Sequence, residues 1–239
     1  PTRRSSDLEH DPISVPHQFS TKQDQEIAAL FASLFAWGQR KTIIFKANDL
    51  MHRMDNAPFD FVKNLQQKDL RTFSAFVHRT FNEDDLMGLL SFLHEWYQQN
   101  ESLEQAFTMG APWNITDSLI GFHQRVVATP GFLKRTHKHI PSVLKGSTAK
   151  RLVMFLRWMV RSNEKGVDFG IWKQIPTNGL AVPLDVHVAR MAEQMGLLKM
   201  KPSYQWNDVL ELKNFFLKID AQDPGKFDFA LFGLGVKTQ

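Results

Sequence analysis

Apolar residues return at helical spacing along almost the whole chain, and no stretch sustains the period-2 alternation of a half-buried strand. That pattern confines the chain to an all-α architecture. The clearest instance follows Thr21-Lys-Gln-Asp24, which has capping-box spacing with Asp in place of Glu; Ile27, Leu30, Phe31, Leu34 and Phe35 then share one face. The spacing predicts a first long helix there, broken near Gly38. A second is predicted over Thr42–Met54, stopping before Pro58, and a short third over Phe59–Leu65. Asn82 is placed to cap a helix with Glu83, Asp84 and Asp85 in its positive first turn and Leu86, Leu89, Leu90, Leu93 and Trp96 on its buried face. Thr116 is the expected cap of a helix through Arg125, and Ser147 or Thr148 that of a helix through Arg161. Gly166–Leu180 reads as a loop with a helical turn around Phe169–Lys173. Asp185 opens a helix that runs to Met195 and stops at Gly196, and Trp206–Ile219 forms another. Asp223-Pro224 then starts a last short helix ending at Gly233 or Gly235.

At 239 residues and 43% hydrophobic content the chain can bury a substantial core, and it is expected to form a single helical domain over 9–239. The first eight residues, Pro1 to Leu8, match the conceptual translation of a common sequencing-adapter end and are expected to be an artefact. Setting aside Arg3, Arg4 and Asp7 lowers the net charge from +4 to +3. The absence of cysteine excludes disulfides, a thiolate nucleophile, cysteine-ligated zinc and a Cys₄ iron–sulfur cluster, and it fits a reducing cytoplasm. The longest apolar stretches, Ile27–Trp37 and Leu152–Val160, fall short of the ~20 residues that a membrane span needs. His137-x-His139 lacks a carboxylate or cysteine partner nearby, so neither a metal site nor a cofactor is expected.

Charge is unevenly placed. From Ser118 to Asn163 there is no Asp or Glu, yet Arg125, Lys134, Arg135, Lys138, Lys145, Lys150, Arg151, Arg157 and Arg161 all fall there. A long segment of one sign favours a polyanion, whereas an ordinary solvated surface mixes both signs. On the helix after Thr148, the spacing puts Lys150, Met154, Arg157 and Arg161 on one face, expected to line a cleft or a phosphate track.

Two motifs carry chemistry: Gly146-Ser-Thr-Ala-Lys150 and Pro183-Leu-Asp185-Val-His187, the second continuing to Ala192. Over 145–198 the chain resembles the helix-hairpin-helix DNA glycosylases, whose 8-oxoguanine branch reads Gly-Val-Gly-Thr-Lys and Pro-Val-Asp-Val-His at the corresponding places. Thr148 stands where that hairpin has its second glycine, which changes how closely the loop backbone can approach a phosphate. From Asp11 to Val236 the chain also looks like a bacterial family catalogued as domain of unknown function 2400. The stretches that carry this likeness include Phe35-Ala-Trp-Gly-Gln-Arg-Lys41, Phe155-Leu-Arg-Trp-Met-Val-Arg161 and Phe229-Ala-Leu-Phe-Gly-Leu-Gly-Val236.

The glycosylase resemblance implies two intimately packed helical subdomains. It also implies a DNA repair enzyme that excises an oxidised purine and nicks the strand by lyase chemistry, with Lys150 as nucleophile and Asp185 as proton-handling carboxylate. A helix cap is the plainer reading of Asp185, and the two roles are compatible in a carboxylate with two oxygens. The resemblance places Gly146, Ser147, Thr148, Arg151 and His187 along the DNA backbone. Arg157 and Arg161 are candidates for phosphate or structural contacts, and Trp37 and Gln39 for a base pocket that stacks and reads an extruded base. The implied partner is damaged duplex DNA, bound by a monomer in the nucleoid. The alternative is a binding protein without catalysis that keeps the same fold and basic face for DNA or RNA; a third reading has exposed aromatics binding a partner chain.

Overall fold

In a computed structural model that describes residues 8–108, 112–164, 166–228 and 230–231, helices form over the expected segments with ends shifted by a few residues. Strand is confined to one two-residue antiparallel pair among the described residues. The suspected artefact, apart from Leu8, and the end of the last helix at Gly233 or Gly235 lie outside the described residues. The chain divides into two compact units: an N-terminal unit of 8–107 with 121–140, and a C-terminal unit of the described residues in 108–120 and 141–231.

The N-terminal unit holds α1 (Lys22–Leu34), α2 (Arg40–Arg53), α3 (Pro58–Lys63), the hairpin β1 (Val77–His78) and β2 (Phe81–Asn82), α4 (Glu83–Gln99) and α5 (Glu104–Phe107). Thr21 caps α1 by accepting from the Asp24 N–H at 3.3 Å, and from Glu26 to Leu34 every residue of the helix is buried. A helix buried on all sides is a central one. Its one buried charge, Glu26, accepts hydrogen bonds from Tyr97 Oη at 2.9 Å and the Leu103 N–H at 3.0 Å, and from the Ser102 hydroxyl. Burial and then the charge of Glu26 push the Tyr97 phenol well above its ordinary range. Asn82 caps α4 reciprocally with Asp85, as its position predicts. Asp85 also accepts from Thr136 Oγ1 at 2.6 Å and pairs with Arg135 at 3.4 Å, so the start of α4 holds the 3₁₀ turn Lys134–His139.

The helix α6 (Ile115–Val127) contributes residues to both units. Its cap is Asn114, whose Oδ1 accepts from the Asp117 N–H at 2.8 Å, and not Thr116. The Thr116 hydroxyl instead accepts from Trp206 Nε1 at 3.0 Å. The C-terminal unit continues through the 3₁₀ turn Val143–Lys145, α7 (Lys150–Val160), α8 (Val186–Gln194) and α9 (Trp206–Ile219). Leu152, Val153, Phe155, Leu156, Trp158 and Met159 of α7 are buried, and the Phe155 ring meets Trp172 edge-on at 5.2 Å.

Neither Ser147 nor Thr148 caps α7; Ala149 does so by its backbone, at a left-handed φ of 48°, with no side-chain cap. The helical turn expected at Phe169–Lys173 does not form. Its backbone instead donates from Phe169 and Trp172 to the carbonyls of Trp158 and Met159, at 2.7 and 3.0 Å. Those carbonyls belong to the last turn of α7, where no intrahelical donor remains, so tertiary pairing replaces a local turn.

Candidate functional site

Lys150 is the first residue of α7 and Asp185 the N-cap of α8, so the ends of two helices set the positions of both groups. Asp185 Oδ1 accepts from the N–H groups of His187 and Val188, at 2.9 and 3.0 Å. Its other oxygen, Oδ2, lies 3.4 Å from Lys150 Nζ, with the side chains 32% and 19% exposed for Lys150 and Asp185. One oxygen caps while the second faces the amine. The pair is sheltered yet reachable from solvent, which a nucleophile needs if a substrate is to meet it.

A chain of contacts gathers further helix starts around this pair. The Trp206 N–H, first in α9, donates to the Gly146 carbonyl at 3.2 Å, and its indole donates to Thr116 near the start of α6. The N-termini of α6, α7, α8 and α9 are thereby linked through the loop that carries Gly146. A helix N-terminus carries the positive end of its dipole, which favours an anion nearby. Nothing in the sequence pattern marks Trp206 or Thr116 for this part, because the contact joins residues 90 positions apart.

The hairpin loop itself is internally satisfied. Gly146 ends the 3₁₀ turn at φ 81°, and the Gln205 side chain covers it, 3.4 Å from where a Cβ would sit. The Ser147 N–H donates to the Ser142 carbonyl at 3.2 Å, and the Ala149 N–H donates to Ser147 Oγ at 3.1 Å. Ser147 therefore shapes the loop, and Thr148 and Lys145 are its more outward members, half-buried and exposed. Arg151 is half-buried, and burial lowers its guanidinium below the usual value. His187 sits half-buried in the first turn of α8.

The expected basic face of α7 is a different object. Arg157 is 4% exposed and pairs with Asp228 and, at 3.5 Å, with Asp168. Arg161 pairs with Asp168 at 2.7 Å and Asp223 at 2.8 Å. Burial alone would lower the Arg161 guanidinium, but its hydrogen bonds to Asp223 and the charge of Asp168 outweigh that and raise it. These arginines are neutralised by carboxylates that lie outside the acid-free stretch. Arg157 holds the interior together and offers no edge to a phosphate.

Trp37 and Gln39 belong to the N-terminal unit, whereas Lys150 and Asp185 belong to the other. Trp37 is half-buried with the Arg79 guanidinium 4.7 Å from its ring centre; Gln39 is exposed at the N-cap of α2 and makes no capping bond. Among the described residues no group of three or more His, Cys, Asp or Glu is placed to hold a metal ion, and no helix is long and apolar enough to cross a membrane.

The family model described as "Protein of unknown function (DUF2400)" matches residues 11–237. No curated protein and no solved structure matches the chain.

Proposed function

The chain belongs to this DUF2400 family, and from that premise we propose that it is a DNA glycosylase with lyase activity, built on a helix-hairpin-helix glycosylase-like fold and acting on an oxidised purine. The observation that carries the proposal is the approach of Lys150 Nζ to Asp185 Oδ2 at 3.4 Å, with Oδ1 already committed to the cap of α8. The fixed Oδ1 holds the carboxylate in place, so Oδ2 is presented to the amine without a rotamer search. Four linked helix N-termini and the exposed Lys145 suit a phosphate backbone beside that pair.

In this reading the neutral Lys150 amine attacks the sugar C1′ and the glycosidic electron pair leaves with the base, which takes up a proton. Asp185 stabilises the positive charge that builds on the sugar and accepts the proton released by the attacking nitrogen. Opening of the sugar ring forms a Schiff base to Lys150. Loss of a proton from C2′ then expels the 3′ phosphate, and water releases the lysine. The choice of an oxidised purine comes from the resemblance of Pro183-Leu-Asp185-Val-His187 to the 8-oxoguanine branch.

Borohydride reduction during incubation with abasic and 8-oxoguanine duplexes is the test. A covalent protein–DNA adduct that is lost in Lys150→Gln supports the proposal. The lack of an adduct with every lesion tried, alongside salt-dependent DNA binding, leaves the binding-protein reading in its place.

A further inference from the structure

The N-terminal unit presents an aromatic and cationic surface that the Lys150–Asp185 pair does not use. Phe45 on α2 is 66% exposed, and the Lys46 amine lies 5.8 Å from its ring centre and 5.5 Å from that of Phe76. Beside the hairpin, Arg79 takes a left-handed φ of 58° and lays its guanidinium over Trp37. Gly38 permits that stack, because a Cβ there would stand 2.6 Å from Arg79 Nη1. Trp37 Nε1 is buried and has no hydrogen-bond acceptor among the described residues. Lys41 and Arg79 are exposed, as is Val77 between Phe76 and His78.

No Asp or Glu occurs from Ile27 to Asn48 or from Leu70 to Asn82, the two segments that make this surface. Asp49, the first carboxylate after α2's exposed turn, is paired with Lys46 and Arg53. Phe45 lies one helical turn after the exposed Lys41 and beside Lys46, whose charge Asp49 shares, and an exposed ring with cations near it complements a chain of phosphates whose bases are free to stack. A closed duplex offers phosphates without base faces, so Phe45 would gain nothing from it. We propose that this surface, through Phe45, Lys41 and Arg79, binds single-stranded DNA. The inference rests on the reading of the protein as a DNA-binding one, but on none of its lysine chemistry.

The test is fluorescence anisotropy of a labelled oligothymidylate titrated with the full chain at several salt concentrations. Phe45→Ala is expected to weaken binding about five-fold or more with the salt slope unchanged, since stacking carries no counterion. Lys41→Ala should reduce the slope by about one, and a change at the exposed Lys218 of α9, Lys218→Gln, should bind as the wild type does. Phe45→Trp should keep the affinity, and its added indole should be quenched by the bound strand. Wild-type-like binding by both Phe45→Ala and Lys41→Ala overturns the proposal, as does a protein that binds duplex but not oligothymidylate. A change of oligomeric state in Phe45→Ala, seen by size exclusion, also overturns it and makes the patch a contact between copies. Adducts in the borohydride assay together with unchanged oligothymidylate binding by the variants sink this inference alone. The expected binding losses without any adduct sink the catalytic reading alone.

Discussion

Asp185 divides its two oxygens between a backbone cap and the Lys150 amine, so one substitution separates the tasks. Asp185→Asn keeps the cap, because Asn serves at that position about as well as Asp, but removes the charge and the proton acceptor. The expected outcome is a nearly unchanged melting temperature and an excision rate lower by orders of magnitude, read by thermal melting and single-turnover strand cleavage. Lys150→Gln should abolish trapped adducts and leave duplex affinity within a few fold, since it removes one cation of many. His78 offers a pH test in the other unit. Its Nε2 donates to the Phe35 carbonyl at 3.0 Å; burial is the main cause that lowers it from the usual value, opposed by that hydrogen bond and aided by the charges of Arg79 and Lys46. The unfolded chain therefore binds more protons than the folded one once pH falls through about 6.5, and stability present above that pH is lost below it. His78→Phe should flatten the decline of melting temperature between about pH 7.5 and about pH 5.5 relative to the wild type. Both members of the pair were candidates from their motifs. The division of oxygens was not legible there, because it depends on where α7 starts relative to α8.

Among the elements, those with local signals formed where the pattern put them. The cap at Asn82, the run of α9 from Trp206 to Ile219 and the stop of α8 before Gly196 all depend on residues within a turn of each other. Asn82→Ala should cost about 1 kcal/mol in chemical denaturation, because it removes the acceptor for the Asp85 N–H. Where several neighbouring residues could cap, the local pattern misled. Asn114 and Ala149 start α6 and α7 in place of the expected Thr116 and Ser147 or Thr148, since Thr116 and Ser147 have other partners. Arg157 shows the same competition at the far end of α7, where helical spacing predicted a basic face and distant carboxylates made a buried ion pair. Arg157→Ala removes the ion pair of Asp228 and leaves Asp168 held by Arg161, and should destabilise by roughly 3 kcal/mol, with no change in the salt slope of DNA binding for whatever remains folded.

For the molecule as a whole, the acid-free stretch from Ser118 to Asn163 is divided between the two units. Arg125, Lys134, Arg135 and Lys138 fall in the N-terminal unit, and Lys145, Lys150, Arg151, Arg157 and Arg161 in the other. Arg135, Lys150, Arg157 and Arg161 each face a carboxylate. Exposed members such as Lys134, Lys138 and Lys145 are left as the better candidates for phosphate. Duplex affinity should fall with salt at roughly −0.9 per phosphate neutralised, and Lys145→Ala should reduce that slope by about one where Arg161→Ala does not. The amino-acid sequence alone determined the helical class, most helix positions and the candidacy of Lys150 and Asp185, because periodicity, caps and motifs act over a few residues. Only the tertiary structure decided which cations are neutralised, which Asp185 oxygen meets the amine, and which segments make up each unit. The partners that settle these matters stand far apart in the chain, as Arg157 and Asp228 do at 71 residues. Local spacing carries no record of which distant carboxylate folds back onto which arginine.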